Sequence, residues 1–268
     1  MNEIVKIYTL SSLMLLCILN LGGGFSEPLA LIIRLVAFTV PALIAVLYSK
    51  TSSDTATNYL SLDKRGLLLL PVILPSLLII FGLSFLVSLI IYNLTGTHIE
   101  MPISGNIITD VFTLAAVPAV TEELFFRYVP LKIISPMSKK SALIISSLFF
   151  AMIHTSFFSI PYALAAGVIF MTIDLITESV WPSVILHFLN NIISIGWMYG
   201  SGTEGFAEIY ITVFVIGASI SLIPLIICLK NYRHLLRITF TSDDRLLFPV
   251  ISFALIIPTV LIALLEFI

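Results

Sequence analysis

Charged residues are scarce in this sequence. Only 10% of its 268 residues are Asp, Glu, Lys or Arg, whereas 59% are hydrophobic. A soluble domain has about a quarter of its residues charged, so this composition predicts a protein that sits in membrane lipid. The formal net charge of −2 gives no basic surface for DNA or RNA, and no nucleic-acid partner is expected.

Cysteine and the common hydrolase signatures are also lacking. The two cysteines, Cys17 and Cys228, lie in apolar runs near opposite ends of the chain, and no CxxC spacing occurs. Disulfide dependence is therefore not expected. GxSxG and HExxH are absent, which removes the usual signatures of serine hydrolases and zinc proteases.

Long apolar runs fill most of the chain. A spanning helix needs about 17–25 mostly apolar residues. This criterion predicts an all-α transmembrane bundle of eight to nine spans, forming one integral-membrane domain over residues 1–268. The candidate spans are 4–22, 28–48, 66–92, 106–131, 141–158, 160–177, 181–199, 207–229 and 247–267.

The basic residues between these spans predict the orientation. With nine spans, every loop rich in Lys or Arg falls on the side of the N-terminus, and such loops face the cytoplasm. The opposite loops carry no Lys or Arg, only Glu27, His98, Glu100 and Glu204. We therefore expect a multi-pass protein of a prokaryotic plasma membrane, with its N-terminus and basic loops in the cytoplasm.

The fourth predicted span contains three charges within the segment VTEELFFRYVPL, residues 120–131. Each ionisable group costs about 2.5–3.5 kcal/mol at the centre of a membrane helix. Glu123 and Arg127 are four residues apart, so they share a helix face and can pair. Glu122 is turned about 100° away and needs another partner or a proton.

Two further spans carry histidine. His154 follows Phe150 by one helical turn, and His187 precedes Asn191 by one turn. The helical rise places Glu122 and both histidines in one band, from the cytoplasmic half to the middle of the membrane. A glutamate and a histidine can deprotonate water, and a histidine with an amide can stabilise an oxyanion. The alternative interpretation is that these polar residues only form structural contacts between helices.

Zinc is the competing chemistry. Glu122, His154 and His187 are all possible zinc ligands, and Asp174 is a further carboxylate in the sixth span. We nevertheless expect no metal. Asn191 suits a pair of donors better than a ligand set, and Glu123 is expected to be occupied by Arg127. Asp174 is then the one carboxylate that could orient a histidine and overturn this expectation.

The three motifs together resemble the CAAX prenyl protease and bacteriocin-processing family, also called the Abi family of intramembrane glutamic proteases. Its pattern is EExxxR, then FxxxH, then HxxxN on successive helices, and the resemblance covers about residues 118–192. These motifs correspond here to Glu122–Arg127, Phe150–His154 and His187–Asn191.

The resemblance implies cleavage of a peptide bond in a membrane-associated protein or peptide, with or without a prenyl group. It implies that Glu122 is the base, helped by His154, and that His187 and Asn191 stabilise the oxyanion. Glu123, Arg127 and Phe150 would support this arrangement. The chain departs from the family at Tyr128, where glycine is common, and at Glu178, where a small residue is common.

Two alternatives remain open at the level of sequence. The chain could be an immunity or partner-binding membrane protein of the same fold. It could instead be a proton-coupled transporter with Glu122 and His154 as a relay. Transporters of that kind usually have paired halves with interrupted helices, and no paired halves are visible here.

Overall fold

The computed structural model describes residues 8, 27–51, 59–61, 70–96, 103–136, 138–154, 159–213, 215–216 and 219. Within these residues the secondary structure is helical, with no strand, as the composition predicts. The first predicted span and the last lie almost wholly outside the described residues, as does most of the eighth. The total number of spans therefore stays a prediction.

Six helices lie within residues 27–200 of the described part of the chain. They are α1 Glu27–Thr51, α2 Leu70–Thr95, α3 from Ile107 to Ile133, α4 Lys139–Met152, α5 Ile160–Thr177 and α6 Trp181–Gly200. Helix α3 is one continuous run of five sections, in which the second and fourth are π-helical: Ile107–Asp110, Val111–Ala116, Val117–Glu123, Leu124–Tyr128 and Val129–Ile133.

Prolines explain why α3 is irregular. Pro118 and Pro130 have no backbone N–H, so the carbonyls of Leu114 and Phe126, four residues earlier, lose their normal α-helical donor. A π-helical section precedes each proline, or overlaps the turn before it, and shifts the local hydrogen bonds to five-residue spacing. The two freed carbonyls become acceptors for side chains of other helices.

The core of the described bundle lies around the second half of α3. Phe125 and Phe126 are fully buried there, and Phe38 of α1 packs edge-on against both rings. Helices α4 and α5 approach each other closely, because a Cβ at Gly167 would lie only 3.0 Å from the Ser147 Cα. Small residues permit such close backbone contact between membrane helices.

Most predicted spans agree with helices. Those at 28–48, 66–92, 106–131, 160–177 and 181–199 correspond to α1, α2, α3, α5 and α6. The prediction of 141–158 was wrong at its end, because α4 stops at Met152. Two stretches in the described residues, Pro75–Thr95 and Ile160–Thr177, are long and apolar enough to cross a membrane by length and composition.

Candidate active site

A fully buried carboxylate lies at the centre of the site. Glu123 Oε2 is 3.1 Å from Arg127 Nε, and its other oxygen, Oε1, is 2.8 Å from His187 Nδ1. The i,i+4 pair that the spacing predicts is therefore present. Glu123 also joins α3 to α6, because the two oxygens of one carboxylate serve partners on different helices.

Arg127 is buried by contacts on several sides. Its Nη1 donates to Ser146 Oγ of α4 at 2.9 Å and to the Phe126 carbonyl at 3.3 Å. The Ser146 hydroxyl donates to that same Phe126 carbonyl, the acceptor freed by Pro130. The guanidinium carbon lies 4.5 Å from the centre of the Phe150 ring, within cation–π range. These contacts fix Arg127 in a water-poor setting where its charge offsets that of Glu123.

Glu122 lies beside the other nitrogen of the same imidazole. Its Oε2 is 4.0 Å from His187 Nε2, too far for a direct hydrogen bond. Polar groups at such a separation can be bridged by a water molecule. The Glu122 side chain retains 16% of its exposure whereas Glu123 has none, so Glu122 is the carboxylate that water can reach.

The two histidines contact one phenylalanine. The Phe150 ring centre is 4.9 Å from that of His154 and 5.5 Å from that of His187, both edge-to-face. His154 Nδ1 is 2.9 Å from the Phe150 carbonyl. Because a carbonyl only accepts, Nδ1 carries the proton, and neutral His154 presents Nε2 as a proton acceptor. The predicted sharing of a water by Glu122 and His154 stays a prediction.

Asn191 contacts α3 one turn beyond His187. Its Nδ2 donates to the Leu114 carbonyl at 3.0 Å, the acceptor freed by Pro118. Four-residue spacing thus directs both side chains toward α3. One of the two amide hydrogens is used by this contact, and the other is available to a second acceptor.

One part of the sequence interpretation was wrong. Glu123 was expected to be fully engaged by Arg127 and unable to orient a histidine. It instead engages both groups, because its two oxygens point in different directions. One of the two grounds for expecting no metal is therefore removed. Among the described residues, no group of three or more His, Cys, Asp or Glu side chains is arranged to hold a metal ion.

Several residues around the site were not identified from sequence. Ser146 supports Arg127, and the Tyr162 ring lies 6.3 Å from His154. Ser183 occupies the first turn of α6, on the face that carries His187 one turn later. Of these residues, only Ser146 has a role that the sequence hints at. Pro130 leaves the Phe126 carbonyl without its helical donor, so a donor from another helix is needed, and Ser146 supplies it.

The two departures from the family pattern have different structural settings. Tyr128 is buried with Val180 and Val184. Glu178 ends α5 with a left-handed backbone, φ 54°, which glycine adopts most readily. This left-handed backbone conformation explains why a small residue would be favoured at this position.

The middle of the chain is similar to a family of known proteins. Residues 104–193 match the family model described as Rce1-like, type II CAAX prenyl endopeptidase Rce1-like. This segment contains all three motifs and the contacts described above. No curated protein and no solved structure matches the chain. The match supports the resemblance that the three motifs indicate: residues 104–193 of this chain are similar to the Rce1-like type II CAAX prenyl endopeptidases.

Proposed function

We propose that this chain hydrolyses a peptide bond of a membrane-associated protein or peptide, using water activated by Glu122. The observation that carries the proposal is the position of His187 between two carboxylates. Glu123 holds its Nδ1 at 2.8 Å, and Glu122 lies 4.0 Å from its Nε2. Glu123 orients the ring, and Glu122, whose side chain is 16% exposed, is the carboxylate that acts on water.

In the first step Glu122 takes a proton from water, and the water oxygen attacks the carbonyl carbon of the substrate. His154 assists through Nε2, since its Nδ1 is held by the Phe150 carbonyl. The attack forms a tetrahedral intermediate with a negative oxygen. This is general-base catalysis without a covalent enzyme intermediate.

His187 and Asn191 stabilise the negative oxygen. His187 donates from Nε2 when that atom carries a proton, and Glu123 stabilises the resulting imidazolium, as aspartate does in Ser-His-Asp sites. Asn191 donates its remaining amide hydrogen. The C–N bond then breaks, and Glu122 returns its proton to the departing amine. Hydrolysis is complete with no group left on the enzyme.

The substrate class follows from the family and from the setting. The matched family is described by its action on CAAX prenyl proteins, so a C-terminal CaaX segment with a lipid-bearing cysteine is the first substrate to test. We propose that residues 1–268 act as one multi-pass domain in contact with membrane lipids.

The test uses purified protein in lipid vesicles and a fluorogenic peptide ending in a prenylated CaaX sequence. Glu122→Gln removes the base with little change in size, and cleavage should fall by about 10²–10⁴-fold. Glu204→Gln, in an exposed turn after α6, is the matched control and should cleave normally. Equal cleavage by Glu122→Gln and wild type would refute the assignment of the base.

Two further measurements with the same assay test whether cleavage requires the prenyl group and whether it requires a metal ion. The peptide with an unmodified cysteine tests whether the prenyl group is needed, and slower cleavage indicates recognition of the lipid. A strong chelator tests for metal, and we expect activity to persist. Activity that is lost to chelator and restored by zinc would overturn the metal-free mechanism.

A further inference from the structure

Asp174 is a fully buried carboxyl group that the reaction described above does not use. It lies on α5 with 0% exposure. Its Oδ1 accepts a hydrogen bond from the Ser183 backbone N–H at 3.3 Å, and its Oδ2 is buried without a partner. A buried carboxyl with one unpaired oxygen needs an explanation, because burial without a partner is costly.

The hydrogen bond of Asp174 reaches the helix that carries His187. Ser183 lies in the first turn of α6, where backbone N–H groups lack partners within the helix. The residue before α6, Val180, has no side chain that can cap these groups. Asp174 supplies the missing acceptor from a neighbouring helix. His187 follows Ser183 by four residues, so the contact sets the position of the turn from which His187 projects.

The charges around Asp174 favour its neutral form. Among the residues whose side-chain burial the structure describes, Arg127 is the only buried Lys or Arg. Arg127 is already paired with Glu123 at 3.1 Å. Glu123 and Arg127 from α3, with Ser183 from α6, are the groups that act on Asp174 electrostatically. If Asp174 were ionised, it would repel Glu123 and would have no cation of its own. Its attraction to the N-terminus of α6 is weaker than the free-energy cost of burying this unpaired charge.

We propose that Asp174 is a positioning residue of this peptidase: a neutral carboxylic acid whose Oδ1 holds the first turn of α6 and thereby fixes His187 against Glu122 and Glu123. Oδ2 carries the acid proton. The role in catalysis rests on the proposed function, whereas the neutral state and the contact with Ser183 do not.

Infrared spectroscopy tests the neutral state without any assay of activity. The difference spectrum between wild type and Asp174→Asn at neutral pH should show loss of a carboxylic-acid C=O band. Loss of carboxylate bands instead would overturn the proposal. Should no preparation cleave peptide, the proposed function fails, and this spectrum still decides the state of Asp174.

Kinetics of two variants test the positioning role. Asp174→Asn keeps an acceptor and is neutral, so it should retain cleavage within a few-fold of wild type. Asp174→Leu removes the acceptor and should lower kcat by about 10- to 100-fold with a smaller change in KM, as misplacement of a reacting group does. Equal loss in both variants, or normal kcat in Asp174→Leu, would refute the role.

A second pair of variants approaches the contact from α6. Proline is tolerated in the first turn of a helix, so Ser183→Pro removes the N–H donor without requiring the helix to break. Ser183→Ala keeps the N–H and controls for loss of the hydroxyl. We expect a lower kcat in Ser183→Pro than in Ser183→Ala. Equal kcat in these two variants counts against the proposal, and thermal melting verifies that each protein is folded.

Discussion

The two carboxylate oxygens of Glu123 bind two different residues. One oxygen pairs with Arg127 on its own helix, and the other holds the Nδ1 of His187 on α6. The charge of Arg127 allows Glu123 to remain ionised in the bundle, and an ionised Glu123 can orient the imidazole. The adjacent Glu122 is left partly accessible to water. Consecutive glutamates thus have different roles because a helix turns by about 100° per residue.

Removal of the guanidinium should be costly at this site. Arg127→Ala leaves Glu123 without its cation, and we expect the free energy of unfolding to fall by about 3–5 kcal/mol, or Glu123 to take up a proton. Lys132→Ala, which removes a cation near the end of the same helix, should have a much smaller effect. Thermal melting in detergent measures both. A folded Arg127→Ala protein with wild-type melting and cleavage would contradict the structural account of this pair.

At the level of elements, the irregularity of α3 connects it to its neighbours. Each proline frees one carbonyl, and each freed carbonyl binds a side chain from another helix. The Leu114 carbonyl accepts from Asn191 of α6, and the Phe126 carbonyl accepts from Ser146 of α4. Each carbonyl that lacks a backbone donor because of proline thus accepts a hydrogen bond from a neighbouring helix. Backbone polar groups inside a membrane need such partners.

Two neighbouring serines on α4 provide a matched test of this connection. Ser146→Ala removes the donor to Phe126 and one acceptor of Arg127, so stability should fall by about 1–3 kcal/mol. Ser147→Ala removes a hydroxyl that bonds only within α4, to the Leu143 carbonyl, and should cost less. Chemical or thermal unfolding compares the two variants. A larger loss in Ser147→Ala would show that the contact with α3 is not the stabilising one.

At the scale of the molecule, the surface of the described helices fits lipid. A stripe of large apolar side chains on α1 is exposed at intervals of three and four residues, namely Ile32, Val36, Val40, Leu43 and Leu47. Soluble proteins rarely expose continuous apolar surface of this kind. The buried ionisable groups of the site lie inside the bundle, where partners offset the cost of burying them.

The predicted orientation can be tested by labelling single cysteines. Cys17 and Cys228 are first replaced by serine. In intact cells a membrane-impermeant maleimide should then label Gly202→Cys, in the loop after α6. It should label Lys139→Cys, at the start of α4, only after the cells are opened, because basic loops stay in the cytoplasm. The reverse pattern would invert the proposed topology, and labelling of both sites in intact cells would reject it.

Part of the site could be predicted from sequence because it depends on spacing along one helix. The Glu123–Arg127 pair and the shared direction of His187 and Asn191 both follow from four-residue spacing. The contact between Glu123 and His187 could not be predicted in this way. These residues are 64 positions apart, and helical periodicity does not define which faces of two helices meet.

The sequence by itself determined the membrane setting, the helical class, most helix limits and the residues of the three motifs. Each of these is encoded locally, in apolar length, in periodicity or in adjacent residue types. Only the tertiary structure decided that α4 ends at Met152, that Glu123 serves both Arg127 and His187, and that Asp174 reaches Ser183. Those outcomes depend on the packing of helices against one another, where a carboxylate is engaged by whichever donor the neighbouring helix brings within reach.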